Sequence, residues 1–361
     1  MAYQAKELRQ PLKSFFNQIN PFMYRVITLG GATYDVFLKS EAFREVSDPH
    51  FKGDSDFPGG VAECFALGSK IALDEIIKTT GGGGTNAAVT FARQGLKTAA
   101  IYKVGRDVFG GEIINELTTE NVKSFANIDP KEPTGYSTIL LSPTGERTVL
   151  VYRGAGGKLS PAEIPLEKLR CDWLYVTPGN IPLKVLEKVL DYADRKEIFV
   201  AMNPSGFYIE QGIKTLAELF KNIKVLILNQ DEAAELTNLP NEASRPILDK
   251  LCEYFKCMVV MTNGKHGALV KAEDKLYEVG TFKEKAIVDR TGAGDAFGSG
   301  FVAGLIEKHG KDIEYAIRLA SANATSVVEV IGAKPGILTN RAFENSPRFK
   351  KLTIKKSNYS S

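Results

Sequence analysis

The sequence contains few of the residues that bind transition metals. It has three histidines, His50, His266 and His309, and four scattered cysteines that form no Cys-x-x-Cys pair. This inventory builds no zinc site, so any metal is expected to be a hard cation held by oxygen ligands. The scattered cysteines and the absence of a signal-peptide pattern predict a reducing, cytoplasmic location.

Long hydrophobic runs and an excess of one charge are also missing. No apolar stretch approaches the roughly 20 residues that a membrane-spanning helix needs, which predicts a soluble protein without a membrane partner. The 46 basic and 43 acidic residues give a formal net charge of +3, so nucleic acid is not an expected partner. A chain of 361 residues, 43% of them hydrophobic, is long enough to bury a large core.

A glycine-rich stretch near the C-terminus, residues 288–301, is the most informative feature present. The apolar residues 285–288 predict the end of a strand, and the glycines predict a tight turn. The residues from Asp295 onward predict a helix with one buried stripe of Phe297, Phe301 and Leu305. The backbone N–H groups of 291–294 would then point outward at a helix N-terminus, where anions bind.

The acidic residue in this turn, Asp295, limits the reactions that the stretch could support. A carboxylate would repel a bound phosphate unless it had a task of its own, and accepting a proton from an attacking hydroxyl is such a task. Asp295 would also suit a simple helix cap. A dinucleotide fingerprint is disfavoured, because that motif belongs to the first strand-turn-helix unit and carries no acid in its loop. The stretch therefore favours phosphoryl transfer.

Strands and helices alternate along most of residues 25–340, which predicts an α/β fold with a doubly wound, mostly parallel sheet and helices on both faces. Two segments interrupt the alternation, about 36–80 and 132–154. The second contains a hairpin signal, so both are predicted to form a small β-sheet lid over a site. Residues 1–24 are predicted to be an N-terminal extension and 341–361 a basic C-terminal tail outside the core.

Two glycine-containing stretches in the first third of the chain are candidate binding elements. Asp35 follows the first strand closely, where open α/β sheets bind ligands, although an ordinary turn residue is an alternative. Gly81–Gly84 would let the backbone come close to a ligand or to another element. Asn86, at the start of the following helix, either caps that helix or contacts a ligand hydroxyl.

Three later stretches also fit phosphate chemistry. Asn229 and Glu232 are spaced either as a capping box or as residues that hold a hydrated Mg²⁺. Thr262 and Gly264 lie in a turn that could contact a nucleotide but is not a P-loop. Residues 331–336 could coordinate a cation through carbonyl groups or could simply stop a helix.

Taken together, these stretches resemble the ribokinase-like (PfkB) family of sugar and nucleoside kinases. Residues 289–297 are similar to the C-terminal motif of that family. Gly81-Gly82 with Asn86 resembles its N-terminal motif, and Asn229-x-x-Glu232 its metal-associated motif. Asp35, Gly264 and Gly332-Ala333 occur in the family's order, and the match runs from about residue 24 to residue 338.

The resemblance implies transfer of the γ-phosphoryl group of ATP to a primary hydroxyl of a sugar-like acceptor. Asp295 is then the general base, and the amides of Gly292, Ala293 and Gly294 are the anion hole. The residues implied to bind the acceptor are Asp35, Gly82 and Asn86.

The resemblance also implies a set of nucleotide and cation contacts. The residues implied to contact ATP are Asn229, Thr262, Gly264 and Asn323. Glu232 helps to hold Mg²⁺ through water, and Asp289, with the Gly332-Ala333 loop, is similar to the family's site for a monovalent cation such as K⁺. A homodimer formed through the lid is a further expectation.

Some positions depart from the family pattern and leave the acceptor open. Gly83 stands where ribokinases proper have a lysine, so ribose is not the favoured acceptor. Arg153, after the second lid strand, either meets an acidic sugar or a sugar phosphate, or is a solvated lid residue. A nucleoside kinase and a sugar-binding sensor without catalysis are the alternatives to a sugar kinase.

Overall fold

Two main β-sheets organise the protein, and the computed structural model describes residues 23–48, 60–142 and 147–359. The strands in this part of the chain are β1 (Tyr24–Gly30), β2 (Thr33–Lys39), β3 (Arg44–Ser47), β4 (Val61–Cys64), β5 (Glu75–Gly81), β6 (Thr98–Gly105), β7 (Lys123–Asp129), β8 (Gly135–Leu141), β9 (Arg147–Tyr152), β10 (Cys171–Thr177), β11 (Phe199–Met202), β12 (Val225–Asn229), β13 (Met258–Thr262), β14 (Ala268–Ala272), β15 (Lys275–Val279) and β16 (Ile354–Asn358).

The larger sheet has ten strands in the order β16-β15-β14-β13-β12-β11-β10-β1-β6-β7. The seven strands from β13 to β7 pair in parallel, and β14, β15 and β16 extend the sheet in antiparallel fashion. Parallel strands in such a sheet are mostly apolar, because helices cover both faces of the sheet. All eight residues of β6 are buried, as this rule predicts. The predicted mostly parallel sheet is confirmed.

Helices cover both faces of this sheet, as a doubly wound fold requires. They are α1 (Gly83–Arg93), α2 (Val108–Thr119), α3 (Leu183–Arg195), α4 (Gly206–Ile209), α5 (Ile213–Leu219), α6 (Gln230–Thr237), α7 (Ser244–Tyr254), α8 (Ala293–Glu307), α9 (Ile313–Val327) and α10 (Asn340–Asn345). One core layer joins the sheet to α1, α8 and α9, and the opposite layer joins it to α3, α5 and α7. None of these helices has the length and apolar character of a membrane-spanning segment.

Helix α8 is more deeply buried than its sequence pattern predicts. The predicted stripe of Phe297, Phe301 and Leu305 is buried, and so is every other residue from Ala296 to Ile306. A helix buried on all sides lies inside the protein rather than on its surface. The glycine turn before α8 is therefore fixed by packing along the whole helix.

The smaller sheet is the predicted lid, with strand order β5-β2-β8-β9. Strand β2 begins at Thr33, earlier than the predicted boundary at 36, because the chain turns directly from β1 into the lid. Parts of the predicted lid (residues 49–59 and 143–146) and residues 1–22 of the predicted extension lie outside the described residues.

Two local predictions differ from the structure. Residues 285–288 form a loop rather than a strand end, because Val288 N–H donates to Val328 O at the end of α9, 2.8 Å away, instead of pairing with a strand. Strand β7 is missing from the sequence prediction. It lies at the edge of the larger sheet, where alternating polar residues weaken the apolar pattern of a buried strand.

The prediction that residues 341–361 form a tail outside the core is wrong. Strand β16 pairs with β15 at the sheet edge, Phe343 and Phe349 are buried, and Phe349 packs edge-on against Phe282 with ring centroids 5.1 Å apart. Most basic side chains of the segment are exposed, whereas Arg348 forms an ion pair with Glu329, and a few apolar residues anchor the segment. The basic residues alone therefore do not reveal the apolar residues that attach this segment to the core.

We predict that Phe349→Ala lowers the free energy of unfolding by about 3 kcal/mol, because it removes a buried aromatic ring and leaves a cavity. Urea denaturation followed by circular dichroism measures the change. Phe65→Ala is the matched control, since Phe65 also makes an edge-on aromatic pair, with Phe43, but is 43% exposed. Equal effects of the two substitutions would contradict the anchoring of the C-terminal segment.

Candidate active site

The N-termini of α1 and α8 meet at the carboxyl end of β10, beside the lid. A Cβ atom placed on Gly83, the first residue of α1, would lie 2.2 Å from Thr177 Oγ1 and 3.1 Å from Asp295 Oδ1. A lysine at position 83 would therefore displace Thr177, which gives a physical reason for the glycine. This close approach brings the N-terminal and C-terminal motifs together.

A direct hydrogen bond joins the two motifs. Asn86 Nδ2 donates to Asp295 Oδ2 at 2.9 Å. Burial raises the pKa of Asp295 above its ordinary value, and the hydrogen bond from Asn86 and the positive charge of Lys334 partly oppose this rise. A carboxylate with a raised pKa is a stronger proton acceptor than an ordinary aspartate.

The turn before α8 presents backbone donors. Gly292 has a positive φ of 78°, and a Cβ atom there would lie 2.4 Å from Ala333 Cβ. Ala293 N–H makes only a long hydrogen bond, 3.3 Å, to Arg290 O. Within the described part of the chain, the N–H groups of Gly292 and Gly294 have no protein acceptor. These donors can bind an anion at the positive end of α8.

Asp289 holds this turn against the loop after α9. Its Oδ1 accepts from Thr291 N–H at 2.9 Å and from Thr291 Oγ1 at 2.7 Å, while Oδ2 accepts from Gly332 N–H at 3.0 Å. Asp289 is 4% exposed. The predicted proximity of Asp289 to Gly332-Ala333 is therefore found, and it is maintained by direct hydrogen bonds.

A cavity of about 300 Å³ lies on one side of the α8 turn. Three of the residues predicted to contact ATP line it, namely Asn229, Thr262 and Gly264, together with Ala293 and Gly294 of the turn before α8. Ser321, Ala324 and Thr325 of helix α9 also line the cavity, as does Val328, which follows that helix.

The fourth residue predicted to contact ATP, Asn323, does not reach this cavity. It is fully buried, its Nδ2 donates to Ala296 O, and its Oδ1 accepts from Leu338 N–H, both at 2.9 Å. The difference arises because neighbouring helix positions face different directions. Asn323 points toward α8, whereas Ala324 and Thr325 face the cavity.

Asn229 and Glu232 form the capping box that the sequence left as one alternative. Asn229 Oδ1 accepts from Glu232 N–H at 2.8 Å, and Glu232 Oε2 accepts from Asn229 N–H at 2.9 Å. This leaves Glu232 Oε1 outside the capping interaction. Burial raises the pKa of Glu232 to about 7, and the negative charge of Asp295 adds to that rise. The charge of Asp295 therefore affects the protonation of Glu232.

On the lid side, Asp35 and Asn86 carry acceptor oxygens without protein partners. Asp35 is 6% exposed and Asn86 is 4% exposed. Asp35 Oδ1 and Asn86 Oδ1 are both buried without a hydrogen-bond donor in the described part of the chain. Burial raises the pKa of Asp35, and hydrogen bonds from Ser137 and Thr33 partly oppose the rise. Such oxygens suit ligand hydroxyl groups, which can donate to them.

Gly82 and Arg153, the other two residues predicted to bind the acceptor, do not present a buried side-chain oxygen. Gly82 has a φ of 92°, and a Cβ atom on it would lie 2.6 Å from Gly31 O. Its lack of a side chain lets α1 approach the β1–β2 turn. Arg153 is an exposed residue just after lid strand β9, whereas Asp35 and Asn86 are buried.

Sequence reasoning missed Lys334, a lysine that is 2% exposed. Its Nζ donates to Glu116 Oε2 at 2.9 Å and also hydrogen-bonds Thr80 Oγ1. Burial lowers the pKa of Lys334, while Glu116 and Asp35 oppose this shift. The only sequence signal was its position directly after Gly332-Ala333, because a lone lysine in a loop normally indicates a solvated side chain.

Comparisons with known proteins agree with this geometry. A family model described as "pfkB family carbohydrate kinase" matches residues 62–340. The ribokinase of Bacillus subtilis (strain 168) is 30% identical over 277 residues, which cover 73% of this chain and 86% of that protein.

Two solved structures show the same fold at low sequence identity. The structure titled Arabidopsis thaliana ribokinase complexed with ribose and ATP has a TM-score of 0.72 at 22% identity, covering 91% of this chain and 99% of that chain. A nucleoside kinase of Methanocaldococcus jannaschii has a TM-score of 0.70 at 20% identity, with coverage of 91% and 99%. Because the family model spans most of the sequence, the chain belongs to the pfkB family of carbohydrate kinases.

Proposed function

We propose that the protein transfers the γ-phosphoryl group of ATP to a primary hydroxyl of a sugar. The observation that carries this proposal is the position of Asp295. It lies in the turn whose Ala293 and Gly294 line the cavity, and its carboxylate contacts Asn86 on the lid side. With a nucleotide in the cavity and an acceptor beside Asn86, Asp295 would lie between the two substrates.

In this proposal the acceptor hydroxyl gives its proton to the Asp295 carboxylate as its oxygen attacks the γ-phosphorus. A new O–P bond forms, the bond from the γ-phosphorus to the bridging oxygen breaks, and ADP leaves. The amides of Gly292, Ala293 and Gly294 stabilise the negative charge on the transferring group. A preorganised donor of this kind contributes about 3 kcal/mol to transition-state stabilisation.

The two unpartnered oxygens favour an acceptor with several hydroxyl groups. Asp35 Oδ1 and Asn86 Oδ1 would each accept from one hydroxyl, which suits a sugar better than an apolar ligand. A nucleoside is the second candidate, since it also carries a ribose and since a nucleoside kinase shares the fold.

We propose that cations bind in two places. Glu232 Oε1 lies outside the capping box and would hold Mg²⁺ through water, which suits an ion that keeps most of its hydration shell. When bound, Mg²⁺ would neutralise charge on the phosphate oxygens. Asp289, beside Gly332, would support a monovalent cation such as K⁺ through backbone carbonyls of these loops.

A substrate panel tests the proposed reaction. We expect ADP release, followed by a coupled spectrophotometric assay, with at least one pentose, hexose, ketose or sugar acid that has a free primary hydroxyl. The same sugar lacking that hydroxyl should give none, because no oxygen remains to attack. ADP release with nucleosides alone would favour the second candidate. Tight sugar binding without any ADP release would indicate a sensor.

Replacing Asp295 by Asn is expected to lower kcat by about a thousandfold, because the amide cannot accept the proton. ATP binding, measured by isothermal titration calorimetry, and the thermal midpoint should stay close to those of the wild type. Asp274→Asn is the control, since Asp274 lies in the exposed turn between β14 and β15. A variant with nearly normal turnover would exclude Asp295 as the base.

The lid is also the surface that we propose for dimerisation. Strand β9 lies at the edge of the lid sheet and exposes all six of its residues, including Val149, Leu150 and Val151. We predict that light scattering finds a dimer and that Leu150→Lys shifts it toward the monomer. Val108→Lys, at an exposed position of α2, serves as the control. A monomeric wild type would contradict this proposal.

A further inference from the structure

Tyr175 is a buried tyrosine with no assigned task. It lies on β10, is fully buried, and packs edge-on against Phe91 of α1 with ring centroids 5.3 Å apart. Its hydroxyl has no hydrogen-bond partner in the part of the chain that the structure describes. Buried tyrosine hydroxyls normally find a partner, since leaving one unpaired costs free energy. This hydroxyl is therefore available to a group at the site.

Gly298 shows where the hydroxyl points. A Cβ atom on Gly298 would lie 2.6 Å from Tyr175 OH, so only glycine leaves room for the hydroxyl at this position of α8. Gly298 is three residues after Asp295, and residues with this spacing share one face of a helix. The hydroxyl thus lies against the face of α8 that carries Asp295.

The electrostatics agree with this placement. Burial raises the pKa of Tyr175 far above its ordinary value, and the charge of Asp295 raises it further. The two side chains are therefore within electrostatic range of each other. A tyrosine with so high a pKa stays neutral near physiological pH and remains a hydrogen-bond donor.

We propose that Tyr175 is a positioning residue whose hydroxyl donates a hydrogen bond to one buried water molecule, which in turn donates to the Asp295 carboxylate. The proposal rests on the proposed function of Asp295 as the base. Asn86 already donates to Asp295 Oδ2 from α1. A second donor from β10 fixes the orientation of the carboxylate and leaves it free to receive the proton of the acceptor.

Asn86 of α1 and Lys334 of the loop after α9 favour the charged form of Asp295. The charge of Asp295 in turn raises the pKa of Glu232 on α6 and of Tyr175 on β10. A hydrogen bond to a carboxylate lowers the pKa of that carboxylate. Removing the tyrosine hydroxyl should therefore raise the pKa of Asp295 and move the acidic limb of the activity profile to higher pH.

Thr28 offers a matched control. It lies directly opposite Tyr175 in the β1–β10 pair, is fully buried, and also carries a hydroxyl without a partner in the described residues. It therefore shares the burial and the missing partner of Tyr175, but its hydroxyl is not the one that Gly298 of α8 accommodates. Thr28→Val removes this hydroxyl while keeping the shape of the side chain.

The test compares Tyr175→Phe with Thr28→Val in the full-length protein. We expect Tyr175→Phe to lower kcat about tenfold, to change KM for either substrate less than about twofold, and to shift the acidic limb upward. The thermal midpoint should stay close to that of the wild type, because the substitution removes one oxygen atom and keeps the packed aromatic ring. Thr28→Val should match the wild type in all of these measurements. Wild-type kcat and an unchanged pH profile in Tyr175→Phe would overturn the proposal.

Two further variants show whether Tyr175 acts through Asp295. In Tyr175→Phe/Asp295→Asn the losses should not add, since the positioned carboxylate is already gone. In Gly298→Ala the new methyl group displaces the hydroxyl, so this change should reduce kcat in the wild type and have a smaller effect in Tyr175→Phe, where the tight contact with Ile227 remains. Additive losses in both pairs would mean that Tyr175 has only a packing role.

Failure of this proposal can be told apart from failure of the proposed function. Full activity of Asp295→Asn, or no turnover of any acceptor, would contradict the function itself. The Asp295 carboxyl can then be titrated by ¹³C NMR with labelled aspartate, and Asp295→Asn identifies its resonance. A higher pKa in Tyr175→Phe would support the hydrogen bond, and an unchanged pKa would exclude it.

Discussion

The hydrogen bond from Asn86 to Asp295 is the contact on which the site depends. It joins residues 209 positions apart in the chain, and it can form only because Gly82, Gly83 and Gly84 let the start of α1 press against its neighbours. Any side chain at these glycines would collide with the β1–β2 turn or with Thr177. The glycines therefore act through packing, and their effect is to place the Asn86 donor beside the Asp295 carboxylate.

The sequence predicts those parts of the site that depend on local structure. The glycine turn before α8 and the Asn229–Glu232 pair lie at helix starts, where a few neighbouring residues determine the geometry. For Asn229 and Glu232, capping and cation binding need not exclude each other. The capping box uses one oxygen of Glu232 and leaves the other outside it.

The features that the sequence did not predict depend on contacts between distant segments. Lys334 is a loop residue that becomes buried because Glu116 and Thr80 come from other elements to meet it. Asn323 looks like a site residue, but its amide links α8 to the segment after α9. The C-terminal strand depends on a sheet edge built more than 70 residues earlier, at 275–279. No local pattern contains this information.

The course of the chain between the two sheets has an evolutionary consequence. The chain enters the lid from β1 at Thr33 and leaves it at Gly81, and these two residues pair with each other beside the site. The far ends of the same strands, Lys39 and Glu75, pair at the opposite end of the lid. Insertions between those far ends would leave both crossings unchanged. The lid can thus diversify in length and surface while the phosphoryl-transfer geometry stays constant.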